Sequence, residues 1–157
     1  MSLAGIEASS DLHPPLAEPC GFLLAAMRRS EFRANANCMA VQGLIVDDNR
    51  DFLEAARTLL EREGLTITGV ASTIADALRK AELRPDVVLV DVSLGDESGI
   101  ELARRLVAGP AHEATVILIS TRSEAELADV IPLSLAAGFL SKSELSADAV
   151  RRFFDGR

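Results

Sequence analysis

The chain of 157 residues is 48% hydrophobic, which is enough for one folded domain with a substantial apolar core. Its formal net charge of −8 argues against nucleic-acid binding by the chain as a whole. No apolar run approaches the roughly 20 residues of a membrane span. The two cysteines, Cys20 and Cys38, match no metal-binding spacing, and a reducing cytoplasm is the default expectation.

The chain divides near residue 40. Residues 1–40 show weak periodicity and include a Pro-Pro pair, so they are predicted to form an N-terminal extension outside the folded core. We favour a flexible arm. A short amphipathic helix near residues 21–27 that docks on a partner, and translation that begins at Met39, remain open alternatives. Residues 41–157 are predicted to form the folded domain.

From residue 41 onward, short apolar runs alternate with segments of helical periodicity. The predicted strands are, in chain order, Gly43–Asp47, Leu65–Ala71, Asp86–Asp91, Thr115–Ser120 and Gly138–Ser141. The first three predicted helices are Asp51–Arg62, with Leu53, Ala56, Leu59 and Leu60 on one face, a helix capped by Ser72 or Thr73, and Ser98–Val107. A fourth helix begins at a Ser123/Glu126 capping box and ends or kinks at Pro132, and a fifth is capped by Ser146. This alternation predicts a parallel sheet with helices on both faces.

Polar residues follow the apolar runs at the carboxyl ends of four predicted strands, the edge where open α/β sheets bind ligands. Asp47 and Asp48 end the first run, and Asp91 ends the third. Three carboxylates brought together would repel and raise one another's pKa values. A divalent cation relieves that repulsion, and a ligand set made only of oxygen atoms favours Mg²⁺.

Three acids, a hydroxyl and a lysine suit transfer of a phosphoryl group to a carboxylate. Asp91 is the candidate nucleophile, because an aspartate can form an acyl phosphate. Asp48 and Asp91 would hold Mg²⁺, with Asp47 helping directly or through water. Lys142 would supply a positive charge, and the Ser120 hydroxyl would donate a hydrogen bond to a phosphoryl oxygen. Such catalysis rests on positioning and electrostatics.

These residues, in this order, resemble the receiver domain of two-component response regulators. The matching set is Asp47-Asp48, Asp91, Ser120 and Gly138-Phe139-Leu140-Ser141-Lys142. The resemblance covers the chain from about Val41 to its C-terminus. It implies a flavodoxin-like (βα)5 fold with a doubly wound parallel sheet of five strands. It also implies a stand-alone receiver, since the chain ends directly after the last predicted helix.

The resemblance also assigns roles to individual residues. By this resemblance Asp91 is the phospho-acceptor, Asp47, Asp48, Asp91 and the backbone carbonyl of Ser93 bind Mg²⁺, Lys142 is the family's lysine, and Ser120 and Phe139 are the switch residues. The phosphoryl group would come from a sensor histidine kinase or a phosphotransfer protein. The chain would catalyse only its own phosphorylation and dephosphorylation, and would act in the cytoplasm without nucleic-acid or membrane partners.

Some residues depart from the family pattern. Ser143 follows Lys142 where the family usually has a proline, often in the cis form, and a cis bond before a non-proline residue costs about 3 kcal/mol. Gly95 replaces a frequent proline after the phospho-acceptor. Phe139 lacks the hydroxyl that a tyrosine would offer. Arg122, two residues after Ser120, is placed to influence hydrolysis of the phosphoaspartate.

The signal would leave through a surface that runs roughly over residues 123–154 and binds an unknown downstream protein. Phe153 and Phe154 on the last helix are predicted to be partly covered and to mark a contact patch. An alternative is a phosphorylation-independent interaction module on the same fold. A phosphatase is disfavoured because Ser93 stands where such enzymes usually have a second acid. A Rossmann-like nucleotide site is disfavoured because the first β–α turn lacks a glycine-rich loop.

Overall fold

Five apolar segments form one parallel sheet in the computed structural model, which describes residues 40–155. The strands are β1 (Gln42–Val46), β2 (Thr66–Ala71), β3 (Val87–Asp91), β4 (Thr115–Ser120) and β5 (Gly138–Ser141). Their order in the sheet, β2-β1-β3-β4-β5, is the flavodoxin-like order, which confirms the predicted fold class. The predicted extension over residues 1–40, apart from Ala40, lies outside the described residues, as do both cysteines.

Four α-helices cover the two faces of the sheet within the described residues. They are α1 (Arg50–Arg62), α2 (Ile74–Ala81), α3 (Gly99–Ala108) and α4 (Ala147–Asp155). Helices α1 and α4 pack on one face of the sheet, and α2 and α3 pack on the other. Strands β3 and β4 are buried throughout, because helices lie on both sides of them. None of the described helices has the length and apolar character that a membrane crossing needs.

The buried face of α1 differs from the prediction at one position. Leu53, Ala56 and Leu60 are buried as predicted. Leu59, which was predicted to share that face, is 38% exposed. The prediction was wrong there because the core contact of α1 is already filled at the i, i+3 and i+7 positions, and Leu59 lies on the flank of that stripe.

Side-chain caps begin each of the four helices. Asn49 Oδ1 accepts hydrogen bonds from two backbone N–H groups in the first turn of α1, and Thr73 Oγ1 and Ser98 Oγ each accept one at the starts of α2 and α3. Ser146 Oγ accepts one from Ala149 at the start of α4. The predicted caps at Thr73 and Ser146 are therefore confirmed, and the Asn49 cap fixes the turn that follows β1.

The helix predicted to begin at Ser123 does not form. Two short 3₁₀ turns, Ala125–Leu127 and Ile131–Ser134, connect β4 to β5 instead. The Ser123/Glu126 capping box is present, with Glu126 Oε2 accepting from the Ser123 backbone N–H at 2.8 Å. The capping-box pattern therefore predicted the first turn correctly, but the prediction of an α-helix after it was wrong. Pro132 lacks an N–H and limits any α-helix here to about two turns, a length that is marginal without strong packing.

Gly99 allows α3 to begin directly against the strand end that carries Asp91. A Cβ added at Gly99 would lie 1.7 Å from the Asp91 carbonyl oxygen and 2.7 Å from its carbonyl carbon. Backbone atoms on both sides of this contact are fixed, because the Gly99 N–H also donates to the Val92 carbonyl at 3.0 Å. Any side chain here would force α3 and the end of β3 apart.

We expect Gly99→Ala to lower the free energy of unfolding by about 2 kcal/mol or more, because the added methyl overlaps fixed backbone atoms. Urea denaturation of the purified protein measures this change. Gly69→Ala is the matched control: its Cβ would meet only ordinary contacts at 3.4 and 3.6 Å, and the expected change is within about 1 kcal/mol. Equal stability of the two variants would contradict the packing described here.

Candidate functional site

The predicted acids and the lysine converge at the carboxyl edge of the sheet. Asp47 directly follows β1, Asp91 is the last residue of β3, and Lys142 directly follows β5. Strands β1 and β3 are neighbours in the sheet, with Val46 paired to Val90. The pairing places the residues that follow them side by side, as the sequence predicted.

Lys142 is the centre of the cluster. Its Nζ donates a hydrogen bond to Asp91 Oδ2 at 3.0 Å and lies 2.5 Å from Asp47 Oδ2. Its side chain is only 13% exposed. The third neighbour of the ammonium is the ring of Phe52, whose centroid is 4.3 Å from Nζ. Burial alone would lower the pKa of Lys142, but the contacts with Asp47 and Asp91 outweigh it and raise that pKa above 10.5, so the ammonium stays charged.

Asp47 is held from both sides. Its Oδ1 accepts a hydrogen bond from the Asn49 backbone N–H at 2.8 Å. Its side chain is fully buried, and no group among the described residues donates a well-aligned hydrogen bond to Oδ2. The ammonium of Lys142, 2.5 Å away, compensates the charge of this oxygen. A buried carboxylate needs such a positively charged neighbour.

Asp48 completes a group of three carboxylates. One oxygen from each of Asp47, Asp48 and Asp91 lies within 4.8 Å of the others, close enough to share one metal ion. Asp48 is exposed and faces the loop after β3, where Gly95 adopts a φ of +60° and would bring a Cβ to 3.6 Å from Asp48 Oδ2. The three carboxylates outnumber the one ammonium, so the site is negatively charged and attracts a dication.

Both oxygens of Asp91 are engaged. Oδ1 accepts a hydrogen bond from the Ser93 backbone N–H at 3.3 Å, and Oδ2 accepts the bond from Lys142. Burial raises the pKa of this carboxyl above its ordinary value of 3.8, and the hydrogen bonds from Lys142 and Ser93 oppose that rise. The structure shows the Ser93 N–H at the site, while the ligand role of its carbonyl stays a prediction.

The predicted switch residues lie on β4 and β5, the two strands that follow β3 in the sheet. Ser120 ends β4, is buried, and accepts a hydrogen bond at Oγ from the Arg122 backbone N–H at 3.1 Å. Phe139 in β5 is half-buried and packs against the core on the α2/α3 face of the sheet. The Lys142–Ser143 peptide is trans, so the loop keeps its lysine in the cluster without the family's proline. The switching itself stays a prediction.

Sequence reasoning missed several residues that shape the site. Asn49 caps α1. Phe52 covers the ammonium of Lys142. Glu97 accepts a hydrogen bond at Oε2 from the Ile74 N–H and so caps α2. The Asn49 cap had a sequence signal, since asparagine precedes a helical pattern; the contacts of Phe52 and Glu97 depend on distant segments and had none.

Comparison with known proteins decides the family. The family model for the response regulator receiver domain matches residues 44–152, which is well over half of the chain. The chain belongs to the response regulator receiver domain family.

Individual relatives agree with this assignment. The chain is 32% identical over 123 residues to the response regulator GacA of Pseudomonas aeruginosa, a match that covers 74% of this chain and 56% of that protein. It spans about half the length of the first curated relatives that it matches. The solved receiver domain of a modulated diguanylate cyclase from Desulfovibrio desulfuricans G20 is 32% identical, with a TM-score of 0.63 and coverage of 75% and 93% of the two chains. The receiver domain of NarL from Mycobacterium tuberculosis is 30% identical, with a TM-score of 0.65 and coverage of 75% and 98%.

The raised pKa of Asp91 is testable in this receiver domain. We expect its carboxyl to titrate above 3.8 in metal-free protein, and we expect Lys142→Met to move that pKa further up because the lowering contact is lost. A carboxyl whose pKa is raised by folding binds its proton more tightly in the folded state than in the unfolded chain. The contribution of Asp91 to the free energy of unfolding therefore falls as the pH rises from the ordinary pKa of 3.8 through the pKa of the folded state. Carbon-detected NMR of the aspartate carboxyls measures the titration.

Lys80→Met is the matched control, because Lys80 pairs with Asp76 on α2, away from the cluster. It should leave the titration of Asp91 unchanged. A pKa of Asp91 at or below 3.8, or one that Lys142→Met does not move, would contradict the electrostatic description of the site.

Proposed function

We propose that this receiver accepts a phosphoryl group on Asp91 from a sensor histidine kinase or a phosphotransfer protein. The observation that carries the proposal is the arrangement around Asp91. Its carboxylate is bonded to the Lys142 ammonium and lies within 4.8 Å of the oxygens of Asp47 and Asp48. Transfer would form an O–P bond at Asp91 and break the N–P bond of the phosphohistidine donor, whose imidazole leaves.

The donor set fits Mg²⁺. Asp47, Asp48 and Asp91 offer oxygen ligands, and Asp47 Oδ2 is a buried oxygen without an aligned donor. These three carboxylates, with the Ser93 carbonyl, would hold the ion. When bound, Mg²⁺ would neutralise part of the charge on the transferring phosphoryl oxygens.

The protein's own residues supply the remaining steps. The Ser93 N–H and the Lys142 ammonium orient the two oxygens of Asp91 before transfer. Afterwards the ammonium would bind a phosphoryl oxygen as a point charge. Ser120 Oγ, held in the resting state by the Arg122 N–H, would turn to donate to another phosphoryl oxygen. The catalysis is limited to the phosphorylation and dephosphorylation of Asp91 itself.

The signal would leave through the segment that follows β4. The movement of Ser120 would loosen the first turn after β4 and let the half-buried Phe139 repack. Leu133, on the 3₁₀ segment Ile131–Ser134, and Leu135, directly after it, are both 60% exposed. The downstream partner is therefore proposed to be a protein that binds an apolar surface. The intact acid cluster argues against the alternative of a phosphorylation-independent interaction module.

The direct test is phosphorylation of Asp91→Asn. We expect the variant to lose labelling by a small phosphodonor such as acetyl phosphate in the presence of Mg²⁺, because the amide is not a nucleophile for phosphorus. Intact-protein mass spectrometry measures the added phosphoryl mass. Asp96→Asn, an exposed acid in the same loop, is the control and should label like the wild type. Stoichiometric labelling of Asp91→Asn would contradict the assignment.

A further inference from the structure

The ammonium of Lys142 has a third neighbour that the proposed function does not use. A lysine ammonium carries three N–H donors, and two of them face Asp91 Oδ2 and Asp47 Oδ2. The remaining side faces the ring of Phe52, with 4.3 Å between Nζ and the ring centroid. This distance is within the range of a cation–π contact. The ammonium is thus enclosed by two carboxylates and one aromatic face.

We propose that Phe52 is a positioning residue for phosphoryl transfer, and that its ring fixes the Lys142 ammonium between Asp47 and Asp91. The proposal rests on the proposed function. Lysine has a flexible stem of four carbons, so its charge is not placed by the backbone alone. The π-face attracts the ammonium, offers it no competing acceptor oxygen and keeps water from that side.

The ring is itself tied to the acid cluster. The Phe52 backbone N–H donates to Asn49 Oδ1 at 3.2 Å in the first turn of α1. The Asn49 N–H in turn donates to Asp47 Oδ1. The ring is half-buried and packs against the core on the α1/α4 face of the sheet. One helix cap therefore sets both the carboxylate and the ring on either side of the ammonium.

The ring contact differs from the two carboxylate contacts in one respect that matters for transfer. When Asp91 becomes an acyl phosphate, its carboxylate charge moves onto the phosphoryl oxygens, and the partner of Lys142 has to change. The attraction of the Phe52 ring does not depend on the state of Asp91. The ring would thus hold the ammonium while its hydrogen bond passes from the carboxylate to the phosphoryl group.

The test compares two substitutions at position 52. Phe52→Leu keeps an apolar side chain and removes the ring, and we expect it to slow phosphorylation of Asp91 by acetyl phosphate about fivefold, the size typical of a partly buried cation–π contact. Phe52→Tyr keeps the ring and should stay within about twofold of the wild type. Leu65→Val is the control, because Leu65 is buried in the same apolar cluster but directly precedes β2, at the opposite edge of the sheet, and it should leave the rate unchanged.

Replacing Phe52 by phenylalanines with one, two and three ring fluorines separates electrostatics from packing. Fluorine withdraws electron density from the π-face at nearly constant size, so the phosphorylation rate should fall stepwise with each fluorine. NMR of the unphosphorylated wild type should show the Lys142 ε-methylene protons shifted upfield by the ring, and Phe52→Leu should abolish that shift.

Equal rates across the fluorinated series, or wild-type speed in Phe52→Leu, would overturn the positioning role. A wild-type spectrum without the upfield shift would overturn the ring contact itself, whatever the rates. A wild-type protein that takes no phosphoryl group while the shift is present would instead refute the proposed function, and the positioning role with it.

Discussion

The ion pair of Lys142 with Asp47 and Asp91 is the interaction on which the site depends. It joins side chains at the carboxyl ends of three different strands, and it places a buried positive charge among carboxylates that would otherwise repel one another. None of these three charges would be stable here without its partners, because burying an unpaired ion in a low-dielectric environment costs several kcal/mol. The parallel sheet makes these contacts possible because it brings the carboxyl ends of β1, β3 and β5 to one edge.

Residues outside the acid and lysine cluster fix the loops that join the strands to the helices around the site. Asn49 caps α1 and holds one oxygen of Asp47. Gly99 lets α3 begin against the backbone of Asp91, where no other residue would fit. Glu97 caps α2 and so links the loop after β3 to the helix that precedes β3 in the chain. The contacts of Glu97 and Gly99 therefore tether the end of the loop that follows Asp91.

Much of this arrangement could be predicted from the sequence. Four of the five strands were predictable because each is a short apolar run closed by a polar residue, and β4 and β5 have the predicted bounds. The Ser123 segment was not predictable, since its capping box and apolar spacing match an α-helix. The missing N–H of Pro132 limits that helix, and two 3₁₀ turns form instead. The acids and Lys142 were predictable from position on the strands. The contact of Phe52 with Lys142 was not predictable, because 90 residues separate the two in the sequence and the contact depends on how α1 packs on the sheet.

The most direct measurement is a crystal structure of the protein with Mg²⁺ and beryllofluoride, a mimic of the phosphoryl group. We expect beryllium bonded to an oxygen of Asp91, Mg²⁺ bound by carboxylates of the Asp47, Asp48 and Asp91 cluster, and the Lys142 ammonium within hydrogen-bonding distance of a fluoride. Beryllofluoride bound elsewhere, or Lys142 directed away from it while Asp91 is occupied, would contradict the claim that these charges form one phosphoryl-accepting site.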